Sequence, residues 1–271
     1  MVRRRGRSAG GQLPLAFPKR WGGARKGAGR KAGPRPKTAH RARPSHCERH
    51  PVHVTMRAGL RLMRSERVVN VLRRSLKRSK RRAPERFRVV EFSIQSDHLH
   101  LLVEAADKVA LSRGMQGLAI SMARRVNRML GRRGRFWTDR FHARALKSPR
   151  AVRNGLVYVL ANFRKHSRRH FPAGIDRFSS AAVFDGWLVS SRERDAIARV
   201  AARAHAADAW WPARPRGDIG ARRAAAPVAA IPAFDPRHDR DCVARARTWL
   251  LRVGWRRHGL ITLSARPALP G

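Results

Sequence analysis

The chain predicts an α+β protein built on a ferredoxin-like, split β-α-β fold with an antiparallel sheet, an extra tyrosine-bearing helix and basic flexible tails. Three observations carry this prediction: the order of apolar periods, an extreme positive charge, and strand-like alternation around His98-Leu99-His100. Apolar residues that alternate mark half-buried strands, and apolar residues spaced by three and four mark helices. Here they run strand, helix, strand, strand, helix, strand, then one more helix, which is the order of the split unit.

The 271 residues include 62 Lys plus Arg against 17 Asp plus Glu, a formal charge of +45. Such a field attracts polyanions, so nucleic acid is the expected partner. No apolar run approaches the roughly 20 residues of a spanning helix and no secretory leader opens the chain. A cytoplasmic, nucleoid-associated protein is expected. Cys47 and Cys242 are far apart and belong to no paired spacing, which gives neither a disulfide framework nor a zinc knuckle. His46, Cys47, His50 and His53 match no structural zinc spacing and read as a polar loop.

Residues 1–47 contain no acidic residue and are rich in Gly, Arg, Lys, Pro and Ala, a composition too poor in apolar surface to fold alone. Within this arm Arg25, Lys26, Arg30 and Lys31 lie among small residues, in the manner of arms that insert arginine into a DNA minor groove. A folded domain is expected over 48–170, followed by a basic extension over 171–271.

The first strand begins near Pro51, where Val52, Val54 and Met56 alternate with His53, Thr55 and Arg57. Ser65 caps a helix to about Lys80, with Val68, Val69, Leu72 and Leu76 as its stripe. Arg86 to Gln95 is the second strand, and Val89-Val90 breaks its alternation in a way that suggests a bulge. Asp97 to Glu104 is the third; Leu99, Leu101 and Val103 share one face and His98, His100 and Glu104 the other. Ser112 caps a second helix, which Gly131 and Gly134 end. Arg135 to Lys147 makes a fourth strand with Trp137, Phe141, Ala143 and Ala145 inward and Thr138, Arg140, His142 and Arg144 opposite. Ser148 and Pro149 start a last helix that runs to about His166. With both main helices on one sheet face, the other is left open for a ligand, and Phe136 is its strongest aromatic candidate. Beyond, 171–187 reads as packed irregular chain, 190–204 as a basic helix, 205–240 as a linker and 242–255 as a final helix.

Two imidazoles on one strand face can hold a metal. Tyr158 is the only tyrosine. On the last helix Val152, Leu156, Val159, Leu160 and Phe163 form the apolar side, whereas Tyr158 and Asn162 fall on a flank one turn apart. Neither is required by the apolar stripe.

Ser96-Asp-His-Leu-His-Leu-Leu-Val-Glu104, Phe136-Trp-Thr-Asp-Arg-Phe-His142 and Leu156-Val-Tyr-Val-Leu-Ala-Asn162, in that order, resemble the single-tyrosine HUH transposases, especially REP-associated ones. The resemblance covers about 50–170, and Phe178 to Trp187 looks like a segment that often follows the tyrosine helix in such proteins. It implies a nuclease and strand transferase for hairpin-bearing single-stranded DNA, with Mg²⁺ or Mn²⁺ as cofactor. His98 and His100 would be the metal pair, Asn162 the third ligand and Tyr158 the nucleophile that forms a 5′-phosphotyrosine. Family members commonly place glutamine or another polar side chain where Asn162 stands. They are often dimers, which makes a homodimer an expectation by analogy. Arg140, His142 and Arg144, together with Arg73, Arg74 and Lys77 on the basic helix over 64–82, would hold DNA phosphates.

Two other classes compete. His98-x-His100-x-x-x-Glu104 mimics a cupin-like ligand set, but no later strand series with a glycine-spaced histidine follows. A non-catalytic nucleic-acid-binding protein, such as a domesticated transposase, would also suit an open sheet with basic tails.

Overall fold

The computed structural model describes residues 45–166, 174–206 and 241–267. The arm residues Arg25, Lys26, Arg30 and Lys31 and nearly all of the expected linker over 205–240 lie outside them.

The alternation at Val52, Val54 and Met56 becomes β1 (Val52–Arg57), followed by α1 (Glu66–Lys80). Ser65 occupies the N-cap position of α1, although its side chain makes no capping bond. β2 (Phe87–Ile94) and β3 (His98–Ala105) pair as an antiparallel hairpin. Their register shifts between Val89 and Glu91, the expected bulge. One consequence is that Val90 leaves the helix-side core and joins Leu102 in the second cluster.

α2 (Lys108–Met129) begins a turn earlier than the Ser112 cap expected from the sequence. Asp107 is the cap: its Oδ1 accepts from Ala110 N at 2.6 Å, and the added turn buries Ala110 and Leu111. β4 is confined to His142–Ala145, much shorter than 135–147. Phe136 and Trp137 are both buried in the helix-side core, outside the ladder. Trp137 makes only an isolated bridge to Ala58, and its indole N–H donates to Ala119 O on α2 at 3.0 Å. Phe136 therefore belongs to the helix-side core and not to a ligand-binding face.

The sheet order is β2-β3-β1-β4, with every neighbouring pair antiparallel. That is the ferredoxin-like arrangement the element order predicts. Val52, Val54, Met56, Leu99, Leu101 and Val103 pack beneath α1 and α2 with Leu72, Leu76, Met115 and Met122. Burying a side chain of that size contributes about 1.5–3 kcal/mol.

The second face is not left open. α3 (Pro149–Ala161), capped by Ser148 Oγ, lies across it, and α4 (Phe163–His166) continues the chain after Asn162 in place of one unbroken helix. Residues 174–188 pack alongside as irregular chain, with a 3-10 turn at Ser180–Val183 and β5 (Trp187–Leu188). α5 (Ser191–Ala206) follows. The expected final helix over 242–255 is α6 (Trp249–Arg252) and a 3-10 turn at Gly254–His258; β6 (Ile261–Thr262) then pairs parallel with β5. Leu156, Leu160, Trp187, Leu251, Trp255 and Ile261 close a second core over Val90 and Leu102. This explains why all eight residues of β2 are buried.

Candidate active site

The strand registers place the polar side chains in rows. His142, Thr55, His100 and Ser93 stand opposite one another across β4, β1, β3 and β2, and Arg144, His53, Leu102 and Glu91 form the next row. Directly paired residues project to the same face. His98, paired with Arg57, completes a histidine patch on the face away from α1 and α2.

His98 and His100 lie with ring centroids 4.7 Å apart. Each ring is engaged at Nδ1: Asp97 Oδ1 lies 2.7 Å from His98 Nδ1, and Thr55 Oγ1 lies 3.1 Å from His100 Nδ1. Bonds of this kind fix the orientation of a ligating imidazole and leave Nε2 as its metal-facing atom. The Asp97 carboxyl is held below its usual range, first by the bond to His98.

Tyr158 reaches this patch because α3 approaches the sheet closely. A Cβ on Gly155 would lie 2.8 Å from Leu146 Cδ1 and 3.7 Å from Leu102 Cδ2. One turn later the Tyr158 ring meets His100 edge-on at 5.1 Å and His53 at 5.2 Å. The structure thus brings Tyr158, His98 and His100 together as the sequence suggests.

His53 is a member of the patch that sequence reasoning misses, since it reads there as part of a polar loop. Its Nε2 lies 3.3 Å from His100 Nδ1. Burial, then the charge of Arg144 opposite it, pushes its pKa down to about 4, so the ring is neutral at physiological pH. The alternation of β1 already puts His53 and Thr55 on one face, and β1 must lie beside β3 in the split unit. Only the register is missing.

Asn162 caps α3 at its C-terminal end. It is completely buried, yet neither its Oδ1 nor its Nδ2 has a hydrogen-bond partner. A buried amide in that state costs about 1–3 kcal/mol, which is compatible with an amide oxygen kept for a cation. No group of three or more His, Cys, Asp or Glu among the described residues is arranged to hold a metal ion. Two imidazoles, one neutral amide and oxygens of a substrate would instead suit a divalent ion that binds together with its substrate. Glu104, on the histidine face by alternation, is committed elsewhere. It accepts from Arg247 N, Thr248 N and Thr248 Oγ1.

Arg140, His142 and Arg144 are exposed beside the patch. The basic helix contributes less than its charge suggests. Arg73 is 2% exposed and its Nη2 donates to Arg177 O, a structural position. Its place is readable in α1, four residues after Val69 and three before Leu76. Arg64, at the head of that basic segment, makes a two-pronged pair with fully buried Asp176. Lys77 pairs with Asp241 at 2.7 Å, while Arg74 is half-buried.

No helix among the described residues is long and apolar enough to cross a membrane. No curated protein matches the chain. A solved structure described as a REP-associated tyrosine transposase bound to a REP hairpin is similar at a TM-score of 0.41 and 15% identity, covering 71% of this chain and 100% of that one. The family model described as "Transposase IS200 like" matches residues 47–154, a span that holds the histidine pair, all four strands of the main sheet and the start of α3, and ends four residues before Tyr158. Residues 47–154 are thus similar to the IS200-like transposases.

Proposed function

We propose that this transposase cuts and rejoins single-stranded DNA through a covalent bond to Tyr158. The observation that carries the reading is the meeting of the Tyr158 ring with His100 on the sheet face, within a domain matched to transposases. A tyrosine there is positioned to attack a phosphate lying over the histidines.

In the first step Tyr158 Oη forms a bond to phosphorus and the P–O3′ bond breaks. The strand's 5′ end remains on the protein as a phosphotyrosine, and the departing 3′ oxygen ends with the proton that the phenol gives up. A second 3′-hydroxyl reverses the exchange elsewhere. The phosphodiester energy is kept in the covalent bond throughout, so joining requires no nucleotide hydrolysis. A Mg²⁺ or Mn²⁺ ion held by His98, His100 and Asn162 would polarise a phosphoryl oxygen and stabilise the charge that builds during displacement. Thr55 and Asp97 fix the two imidazoles, and Arg140, His142 and Arg144 hold flanking phosphates. We take the substrate to be a strand carrying a hairpin, as the sequence resemblance implies.

The test is incubation of purified protein, with Mn²⁺ or Mg²⁺, with end-labelled hairpin-bearing single strands, followed by denaturing electrophoresis. A 5′-linked adduct is expected from the wild type and none from Tyr158→Phe, which should still bind the strand. An adduct formed by Tyr158→Phe removes the assigned nucleophile. Binding without cleavage under all metal conditions favours a non-catalytic DNA-binding protein.

A further inference from the structure

At the end of β3 away from His98, a half-open cleft of about 600 Å³ lies between the transposase domain and the C-terminal extension. Glu48, Arg49, Glu85 and Arg88 line one side, and Arg247 and Trp249 the other. Its volume falls within the roughly 300–1,000 Å³ of sites that hold small molecules or single groups. Glu104, also at its wall, is four residues beyond His100, or about 13 Å along the strand at ~3.3 Å per residue. The cleft is therefore separate from the histidine patch.

Its chemistry is specific. Trp249 is half exposed, at 49%, although it is among the largest apolar side chains of the protein. The Arg257 guanidinium lies over its ring, 4.8 Å from the centroid, so one face at most is left for a planar partner. Arg88 is only 6% exposed; its Nη2 donates to Glu85 O at 3.0 Å, while its Nε and Nη1 make no hydrogen bond. Nη1 is 3.7 Å from Glu104 Oε2, an ion-pair distance. Glu104 cannot serve a ligand well, since Arg247 N, Thr248 N and Thr248 Oγ1 already donate to it. Arg49 and Glu48 are exposed at the rim.

A cleft with this lining offers an indole surface, guanidinium donors and carboxylate acceptors within one small volume. A free anion would be opposed by the acidic residues. A duplex has its base faces already stacked. An unpaired nucleotide satisfies all three features: its base stacks on an aromatic ring, the base edge uses donors and acceptors together, and the adjoining phosphate meets arginine.

We infer that this cleft is a second single-strand site, in which an unpaired base stacks on Trp249 while Arg49 and Arg247 hold its phosphate. It deepens, and rests on, the reading of the protein as a single-strand transposase. The role it gives the C-terminal extension is to grip the strand at a fixed distance from Tyr158.

Full-length protein is titrated with a fluorescent single strand, comparing wild type with Trp249→Ala, Trp249→Phe and Arg49→Ala. Thermal melting is followed in parallel, and a strand containing 5-iododeoxyuridine is photocrosslinked and the attached peptide mapped. Stacking on an aromatic side chain contributes about 1–3 kcal/mol per base, so Trp249→Ala should weaken binding roughly 5- to 150-fold at unchanged melting. Trp249→Phe should restore most of the affinity, Arg49→Ala should weaken binding and flatten its salt dependence, and the crosslink should fall within 247–252. If wild type binds and forms the Tyr158 adduct while Trp249→Ala and Arg49→Ala bind as tightly, or the crosslink maps only elsewhere, the cleft assignment is wrong and the transposase reading stands. If wild type binds no single strand, both fall.

Discussion

His53 Nε2 lies 3.3 Å from His100 Nδ1, and the rings of both residues are in edge contact with Tyr158. A neutral imidazole thereby touches both a proposed metal ligand and the proposed nucleophile, which also touch each other. Groups that orient ligating histidines typically alter metal affinity or activity 10- to 100-fold when removed. His53→Ala should reduce adduct formation by about that factor while single-strand affinity changes less than about threefold. His53→Gln, which can keep a hydrogen bond to His100, should recover part of the rate. Equal losses in binding and rate would make His53 a DNA contact instead. The readouts are single-turnover cleavage and anisotropy titration.

Arginines that look alike in sequence should separate in their effects. Arg140 and Arg144 are exposed beside the histidines, and a side chain that holds one phosphate of a single strand adds about 0.7 to the slope of log affinity against log salt. Arg140→Ala and Arg144→Ala are each expected to lower the slope by that amount without lowering the melting temperature. Arg64→Ala should behave in the opposite way. It strands Asp176, fully buried, without its two-pronged partner, at a cost of about 3–5 kcal/mol. Melting curves and salt titrations of the three variants distinguish the two outcomes.

Glu91 gives the fold a pH signature. Burial raises its pKa to about 8, while the bond from Ser180 acts in the other direction. The folded state thus holds a proton that the unfolded chain releases above its ordinary value of 4.5. This contribution to stability is fully present below about pH 4.5 and declines as pH rises towards 8, at up to about 1.4 kcal/mol per pH unit. Glu91→Gln should remove that decline, making the variant several kcal/mol more stable than wild type at pH 8 and nearly equal to it at pH 4.5. His53 has the opposite sign: its lowered pKa costs stability as pH falls from 6.5 to about 4. Comparing the variant with wild type in denaturant melts at each pH isolates Glu91 from that overlap.

Gly155 sets the height of α3 above the sheet. The nearest atom to an added Cβ is the mobile end of Leu146. Gly155→Ala should therefore be tolerated, since better helix propensity, about 1 kcal/mol, offsets a small shift of that leucine. Gly155→Val should cost about 1–3 kcal/mol through overpacking and displace Tyr158, lowering adduct formation more than affinity. Equal rates for the two variants would show that helix height does not control the nucleophile.

Much of this is legible in the chain, and the limits are physical. Strand alternation places His98 and His100 on a common face, and one helical turn places Asn162 beyond Tyr158. The split-unit element order also specifies the sheet. What alternation lacks is register, so the alignment of His53 with Leu102 and of Thr55 with His100 cannot be read from it. Charge counting misplaces Arg73, because a guanidinium can lie in an apolar stripe when a distant carbonyl, here that of Arg177, receives its N–H. The covering of the second sheet face escapes for the same reason: the tryptophans that close it, Trp187 and Trp255, come from far along the chain.

The clasp at Glu104 has a consequence for the timing of synthesis. Its backbone partner Arg247 lies 143 residues downstream, and at about 5–20 residues per second that stretch takes roughly 7–30 s to emerge. Once Tyr158 has emerged, 54 residues after Glu104, the nascent protein has its histidines and its tyrosine but neither the wall that carries Trp249 nor Trp255 and Ile261 of the second core. The frame around the proposed site is consequently closed last, by residues 241–267, and a chain lacking them would carry the chemical groups without that part of their support.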